Sequence, residues 1–388
     1  MTSSFDVAIV GAGPAGAWAA FCLASHGARV AVIDGSHPRE KPCGGGVSAR
    51  ALKLLERLPG GPVPSAVDVT RARFSASGLV ADVPLDRRDA HVPALVIASR
   101  RDLDGALLQA AVDAGATHVA RRVIDVARQE AGWTITTDTT RLTAGWLVGA
   151  DGANSLVRRR IGRPLDRSQL SIASGYYVRG QTGRHIDIEF MQTPPGYLWA
   201  FPRHDHVAVG ICGQANETSS AALLAASTRW IADRYPTTAG LDRYSWPIPS
   251  LTEEGLSNET PAGERWFLVG DAAGLVDPIT REGIFYALQS GDLAANSLKE
   301  SRAARRYAEA VRGTIHHELR TAARMKPRFF GPRFSRLLVQ SLQRSDRIAA
   351  IMAGLVSGQQ TYDGLRRRLL LTREWRLALE YLRLSARG

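Results

Sequence analysis

Residues 5–10 form a short apolar run of strand length, broken by Gly11-Ala12-Gly13-Pro14-Ala15-Gly16, and the alanine-rich residues 17–24 then read as a helix. A second apolar run, 28–33, ends at Asp34. Much later, residues 266–269 read as a strand interrupted by Gly270 and Asp271, and 284–298 carry apolar positions at helical spacing. Residues 146–150 form another buried strand, ending in Asp151-Gly152-Ala153-Asn154-Ser155. Between these pieces, 59–98 is rich in proline and glycine and then alternates over 73–83, 105–114 is helical, and 119–126 and 133–138 predict a small antiparallel layer. Residues 172–178, 185–190, 197–201 and 206–211 follow one another without helices, which predicts a separate antiparallel sheet. Residues 221–235 are helical, and from 303 onward helical spacing predominates.

This order predicts an α/β chain of mixed α+β character with a discontinuous Rossmann-like domain (1–70, 98–165 and 262–300). A β-rich substrate domain (71–97 and 166–261) is inserted into it, and a helical basic region (301–388) follows.

The glycines carry the first chemistry. Gly11 permits a tight turn, Gly13 lets a pyrophosphate reach backbone, and Gly16 lets the helix pack closely on the strand, with Pro14 and Ala15 completing the turn. Asp34, at the end of the second strand, is placed to accept hydrogen bonds from a ribose diol. Strand, glycines, helix, strand and acid in this order indicate a dinucleotide site, which a chance glycine turn would not supply. The small residues Ala272, Ala273 and Gly274 beside Asp271 suit a polar cofactor chain lying on backbone. Cys43-Gly44-Gly45-Gly46 exposes backbone without side-chain bulk, as a flat ring requires; a flexible linker would look the same. Tyr197, Trp199 and Phe201, at alternate positions of one strand, share a face and form either an apolar wall or ordinary core.

Composition narrows the setting. Cys22, Cys43 and Cys212 have no CxxC spacing, so neither a disulfide framework nor a metal site is indicated, and a reducing, cytoplasmic location is expected. The N-terminus lacks the pattern of a signal peptide, and no apolar run reaches the ~18 residues that span a bilayer. The formal charge of +12 is uneven: from residue 301 onward, 19 Lys+Arg stand against 6 Asp+Glu. Residues 371–384 predict a basic amphipathic helix suited to an anionic membrane surface or to packing on the protein. Nucleic acid is not expected, because no aromatic residues interleave with the charge.

Taken together, GAGPAG with Asp34, DGANS after a strand, and GDAAGLVDP followed by EGI resemble the FAD-binding set of the p-hydroxybenzoate hydroxylase group. KPCGGGVS, GYLWAFP, DPITREGI and SGQQTYDGL are similar to the geranylgeranyl reductase family within it. The resemblance implies an FAD-dependent oxidoreductase, with Arg100 at the phosphate or ribityl region, Val123 at the adenine through backbone, and Asp151 and Gly152 at the domain junction. It further implies Asp271 at the ribityl or pyrophosphate portion, Gly283, Ile284 and Pro278 at the isoalloxazine, and Cys43 with Gly44 to Gly46 beside the ring. Tyr197, Trp199 and Phe201 would face an apolar small-molecule substrate. Arg281 stands where the family usually carries glycine, and is a candidate for an acidic substrate group or a reduced ring.

The activity so implied is reduction of carbon–carbon double bonds in an isoprenoid by hydride from reduced flavin, with Cys43 a candidate proton donor and an external electron donor, NAD(P)H or a reduced carrier. A monooxygenase working through a flavin hydroperoxide on an aromatic, natural-product or protein substrate would share the same FAD frame. A halogenase is disfavoured because GYLWAFP replaces its WxWxIP segment. A flavoprotein acting on a protein partner through the basic tail is the reading from another class.

Overall fold

The computed structural model describes residues 3–61, 63, 65–85, 92–372 and 374. Among them the strands form three sheets. The first is built on the strand Ser3–Val10, which pairs in parallel with Arg141–Gly149 on one side and Val30–Ile33 on the other. Thr117–Val119 extends the sheet beyond Val30–Ile33, and Trp266–Leu268 extends it beyond Arg141–Gly149. Strands covered on both faces need apolar residues throughout, which is why Val30–Ile33 is VAVI and wholly buried. Gly132–Thr137 and Val123–Gln129 continue from Arg141–Gly149 as an antiparallel layer.

Two boundaries differ from those expected. The strand read over 119–126 is split in two, because Arg121 N–H turns back onto the Val119 carbonyl at 2.8 Å and sends the chain out of the parallel sheet. The helix read over 105–114 starts earlier, as Arg100–Asp113, because Ser99 caps it by accepting from Asp102 N–H at 3.4 Å.

The second sheet runs in the order Gly240–Pro249, Leu170–Arg179, His206–Gln214, Pro195–Pro202, His185–Gln192, Arg71–Ala76, Leu79–Pro84. The early pair joins it through parallel pairing of Arg71–Ala76 with His185–Gln192. One face packs Val178, Leu198, Val209 and Ile211 against Leu223 and Ile231 of the helix Ser220–Arg234. The other presents Phe190, Tyr197 and Trp199 to C-terminal helices through Phe330, Leu342 and Met352. A third, small sheet of Gly46–Ser48, Leu95–Ile97 and Val67–Asp68 carries the triple-glycine loop.

The basic region is helical as expected: Ala303–Val311, His317–Phe329, Pro332–Arg344, Asp346–Val356 and Leu365–Leu371. Tyr307 anchors it by donating its hydroxyl proton to the Leu268 carbonyl at 2.7 Å. Beyond residues 371, 372 and 374, the amphipathic helix expected over 371–384 lies outside the described residues. Among the described residues no helix is long and apolar enough to cross a membrane.

Helices Pro14–Ala24 and Ile284–Ser297 cross at Gly291, where an added Cβ would sit 2.8 Å from the Ala15 carbonyl oxygen and 3.2 Å from Ala19 N. Alanine in a helix gains up to about 1 kcal/mol over glycine, but overpacking a filled contact costs about 1–3 kcal/mol. Gly291→Ala is therefore expected to lower the urea midpoint. Gly313→Ala, where a Cβ meets nothing within 4 Å, is expected to raise it; a shift of Gly291→Ala in the same upward direction would refute the close crossing.

Candidate functional site

The loop after the first strand is shaped by contacts that exclude side chains. Gly11 adopts φ +104, and a Cβ there would lie 2.4 Å from the Ala150 carbonyl oxygen, so the chain around Asp151 sits directly over the turn. A Cβ at Gly16 would stand 2.0 Å from Gly11 O, which is why helix Pro14–Ala24 can start against its own strand. Gly13 is open apart from His37 Nε2, 3.8 Å from a Cβ built there. The helix begins with Pro14 and has no side-chain cap and no acid in its first turn. The N–H groups of Ala15 and Gly16 thus lack side-chain acceptors, as an anion site requires.

Asp34 lies beside this loop, but its carboxylate is already heavily engaged. It accepts from Ala12 N–H at 3.0 Å and from Ser36 N–H at 2.7 Å, and pairs with His37 Nδ1 at 2.8 Å. Burial works against its charge, yet His37 and these amides hold the carboxyl well below the usual range. His37 Nε2 lies 3.3 Å from Asp104, whose carboxylate is bound two-pronged by Arg100 at 2.9 and 2.7 Å. Arg100 therefore reaches the cavity from a buried ion pair, which stabilises its charge against burial. Val123 opens the strand Val123–Gln129 and is half-buried against the first core.

Asp151 serves the chain locally: its carboxylate accepts from Leu156 N–H at 2.6 Å and Val157 N–H at 3.1 Å, at the start of helix Leu156–Ile161. Burial pushes its pKa up. Gly152, at φ +82, has nothing within 4 Å of a Cβ. Asp271 forms an ion pair with Lys41 at 3.0 Å.

The triple glycine meets the aromatic strand. A Cβ on Gly44 would sit 2.6 Å from the Phe201 ring, and one on Gly45, at φ +81, 2.3 Å from the Ala98 carbonyl oxygen. Gly46 opens the small sheet. Cys43 Sγ accepts from Gly45 N–H at 3.3 Å, while Arg203, paired with Glu40, donates to the Cys43 carbonyl at 2.8 Å.

These parts enclose a cavity of about 240 Å³. Pro14, Cys43, Gly44, Gly46, Arg100, Asp271, Gly283 and Ile284 line it, and Tyr197, Trp199, Phe201 and Arg281 lie on it as well. Gly11, Gly13, Ala15, Gly16, Asp34, Gly45, Val123, Asp151 and Gly152 lie outside this lining. Pro278 is buried without lining the cavity, whereas Val276 and Ile279 on either side of it do. Tyr197 donates to the Thr280 carbonyl at 2.6 Å and stacks on Phe330 with centroids 6.3 Å apart.

Sequence reasoning missed His37, Asp104 and the ion-pair cluster in which Arg50 holds both Glu282 and Glu318. The Arg100 and Asp104 spacing of one helical turn was a usable signal. Lys326 had none: its partners Gln214 and Ser250 come from other segments.

The arrangement fits FAD. Uncapped helix starts at Pro14 and at Ile284, a turn closed to side chains at Gly11, and a cavity reaching from Pro14 to an aromatic wall match an anionic linker followed by a flat apolar ring. Comparisons agree. Residues 4–302 match the family described as FAD binding domain. The chain is 33% identical over 324 residues to a menaquinone reductase of Mycolicibacterium smegmatis, covering 76% of each chain. It is 28% identical over 318 residues to a geranylgeranyl diphosphate reductase of Rhodobacter capsulatus, covering 76% of this chain and 74% of the other. A geranylgeranyl bacteriochlorophyll reductase-like structure from Thermoplasma acidophilum shares the fold, with a TM-score of 0.77 at 22% identity over 96% of this chain and all of the other. The domain match spans most of the chain and covers most of the cavity lining, the aromatic strand included, so the chain belongs to this FAD-binding family and is a geranylgeranyl reductase-like FAD-dependent oxidoreductase.

Proposed function

We propose that the enzyme reduces carbon–carbon double bonds of an isoprenoid chain held against the aromatic face of the second sheet. The observation that carries this reading is the cavity itself: it runs from the glycine loops to Tyr197, Trp199, Phe190 and Ile188, and its wall is largely apolar. When bound, FAD supplies a hydride to one carbon of the double bond. The chain's own residues bind, orient and exclude water. The first turn of helix Pro14–Ala24 would hold the pyrophosphate, Asp34 the ribose diol and Arg100 the phosphate or ribityl region, while the backbone of Gly283 and Ile284 would face the ring and Asp271 the ribityl chain.

Tyr197 and Trp199, 8% and 5% exposed, keep the substrate chain dry. Cys43 lines the cavity with its sulfur fixed by Gly45 N–H. We assign it to giving or orienting the proton for the second carbon. Electrons come from an external donor, NAD(P)H or a reduced carrier. The relatives' names support an isoprenoid-bearing substrate, since a menaquinone reductase and a geranylgeranyl diphosphate reductase are both among them.

The basic C-terminal helices are assigned to contact with an anionic lipid surface, where such substrates reside. On helix Leu365–Leu371, Leu370 and Leu371 are 57% and 67% exposed beside the exposed Arg366 and Arg367. Apolar insertion next to arginine is the pattern of an interfacial helix.

Photoreduced under anaerobic conditions and mixed with geranylgeranyl diphosphate, the protein is expected to return to oxidised flavin and yield a product heavier by two mass units per bond reduced. In the same experiment Cys43→Ala slows reoxidation while FAD stays bound. Flavin that stays reduced across a polyprenyl panel would remove the reductase reading.

The cofactor end predicts a pH dependence. Burial opposes the charge on His37, but Asp104 and Asp34 more than offset it and raise its pKa. Its stabilising contribution is thus complete below the ordinary value of about 6.5 and is lost as pH rises through the higher folded value. The thermal midpoint of the FAD-loaded protein should fall across that window, and His37→Gln should flatten the fall; an unchanged profile in the variant would count against the bridge.

In a sedimentation assay, vesicles rich in phosphatidylglycerol should carry the protein down and phosphatidylcholine vesicles should not, with Leu370→Ser/Leu371→Ser weakening binding about tenfold, the equivalent of 1.4 kcal/mol. Equal binding to both vesicle types would reject the assignment.

A further inference from the structure

Two cations at the margin of the cavity lack a counter-ion among the described residues. Arg281 lines the cavity and donates through Nη1 to the hydroxyl of Ser250. Lys326 Nζ donates to the same hydroxyl at 2.8 Å and to Gln214 Oε1 at 2.7 Å. Ser250 is 1% exposed, and Arg281 Nε is buried with no hydrogen-bond partner among the described residues. Other buried or half-buried arginines near the cavity are paired: Arg100 with Asp104, Arg203 with Glu40, and Arg50 with Glu282 and Glu318. Among the described residues neither Arg281 nor Lys326 makes an ion pair, and Glu217 acts on Lys326 only as a minor influence.

Burying charge without a partner is costly. Lys326 registers that cost: burial first, and then Arg281, bring its pKa down to about 7. Arg281 adds a second cost, since it holds φ +61, a conformation that favours glycine. A chain that keeps a strained arginine and a lysine together on one buried serine has placed two donors where an oxyanion would satisfy both. Phe329, one turn after Lys326 on helix His317–Phe329, lines the cavity, so this pair stands next to the apolar wall.

We propose that Arg281, Lys326, Ser250 and Gln214 form a recognition site for an anionic group, a phosphate or a carboxylate, borne at one end of the apolar substrate. This rests on the reductase reading of the cavity and specifies it: the substrate is a charged-headed chain and not a neutral one. Binding the anion takes up a proton on Lys326, so affinity is greatest below about pH 7 and declines as the amine loses its proton.

The test compares geranylgeranyl diphosphate, geranylgeranic acid and geranylgeraniol as oxidants of the photoreduced FAD-loaded protein. The anion site requires KM for at least one charged compound to be ten or more times lower than for the alcohol; whichever of diphosphate or acid shows the drop identifies the head group. Arg281→Gly, which suits the left-handed backbone, and Lys326→Met should each erase that difference by raising KM for the charged compound far more than for the alcohol, with FAD still bound. Lys326→Met should also abolish the rise in KM above pH 7. Equal KM values for all three compounds, or variants that shift charged and neutral compounds alike, would overturn the anion site and leave the reductase reading standing. If none of the three reoxidises the flavin, the reductase reading fails, and calorimetric titration of the FAD-loaded protein with inorganic diphosphate decides the site separately. Binding that both variants lose upholds it, and no binding, or binding the variants keep, overturns it.

Discussion

Close approach of backbone to backbone around helix Pro14–Ala24 is the constraint on which the remaining architecture depends. Gly11 and Gly16 bring the helix start onto its own strand and the strand under Ala150, while Gly291 brings a helix from far along the chain onto Ala15 and Ala19. Gly270, at φ +56, places the turn carrying Asp271 so near that a Cβ would lie 2.9 Å from that of Ala15. Segments separated by more than two hundred residues thus converge on one helix with no side chain larger than a methyl group at these contacts. Because these contacts leave the amides of the first turn uncapped, the same packing that closes the fold opens an anion site.

Charge follows a comparable logic. Inside the protein, Arg100, Arg158 and Arg203 each face a carboxylate, and Arg50 faces two. Removing either partner of such a pair strands the other charge, which costs more than the pair ever contributed. Asp34, His37, Asp104 and Arg100 extend this into a chain of alternating charge that links the glycine loop to the cavity. The uncompensated pair of Arg281 and Lys326 stands out against that background.

The sequence made the cofactor half legible because its determinants are local. A strand, a glycine turn and a helix are read within twenty residues, and each glycine has one physical reason to be there. The alternation of Tyr197, Trp199 and Phe201 likewise fixed a shared face before any contact was known, and all three line the cavity. What could not be read are relations across the chain: Gly44 is small because Phe201 lies against it, and Lys326 is half-buried beside Ser250 and Gln214. Expected roles also hid prior commitments. Asp151 caps a helix and Asp34 is engaged by His37 and loop amides, because a carboxylate near free N–H groups takes them whether or not a ligand is expected.

The FAD frame alone does not choose between delivering hydride to carbon and activating oxygen, since both begin from the same reduced ring. The surroundings of the ring have to make that choice, and here they consist of a wall in which Tyr197 packs between Trp199 and Phe330, and Phe190 between Phe74 and Phe329. Tyr197 commits its hydroxyl proton to the Thr280 carbonyl. Such a wall suits a long hydrocarbon that fills the space and displaces small molecules. Arg281, on the same lining and bonded to Ser250, adds a cation without a carboxylate partner among the described residues, so the proposed anion site sets one charged end against an apolar length. On the proposed reading it is that division of surfaces, and not the cofactor, that selects the substrate.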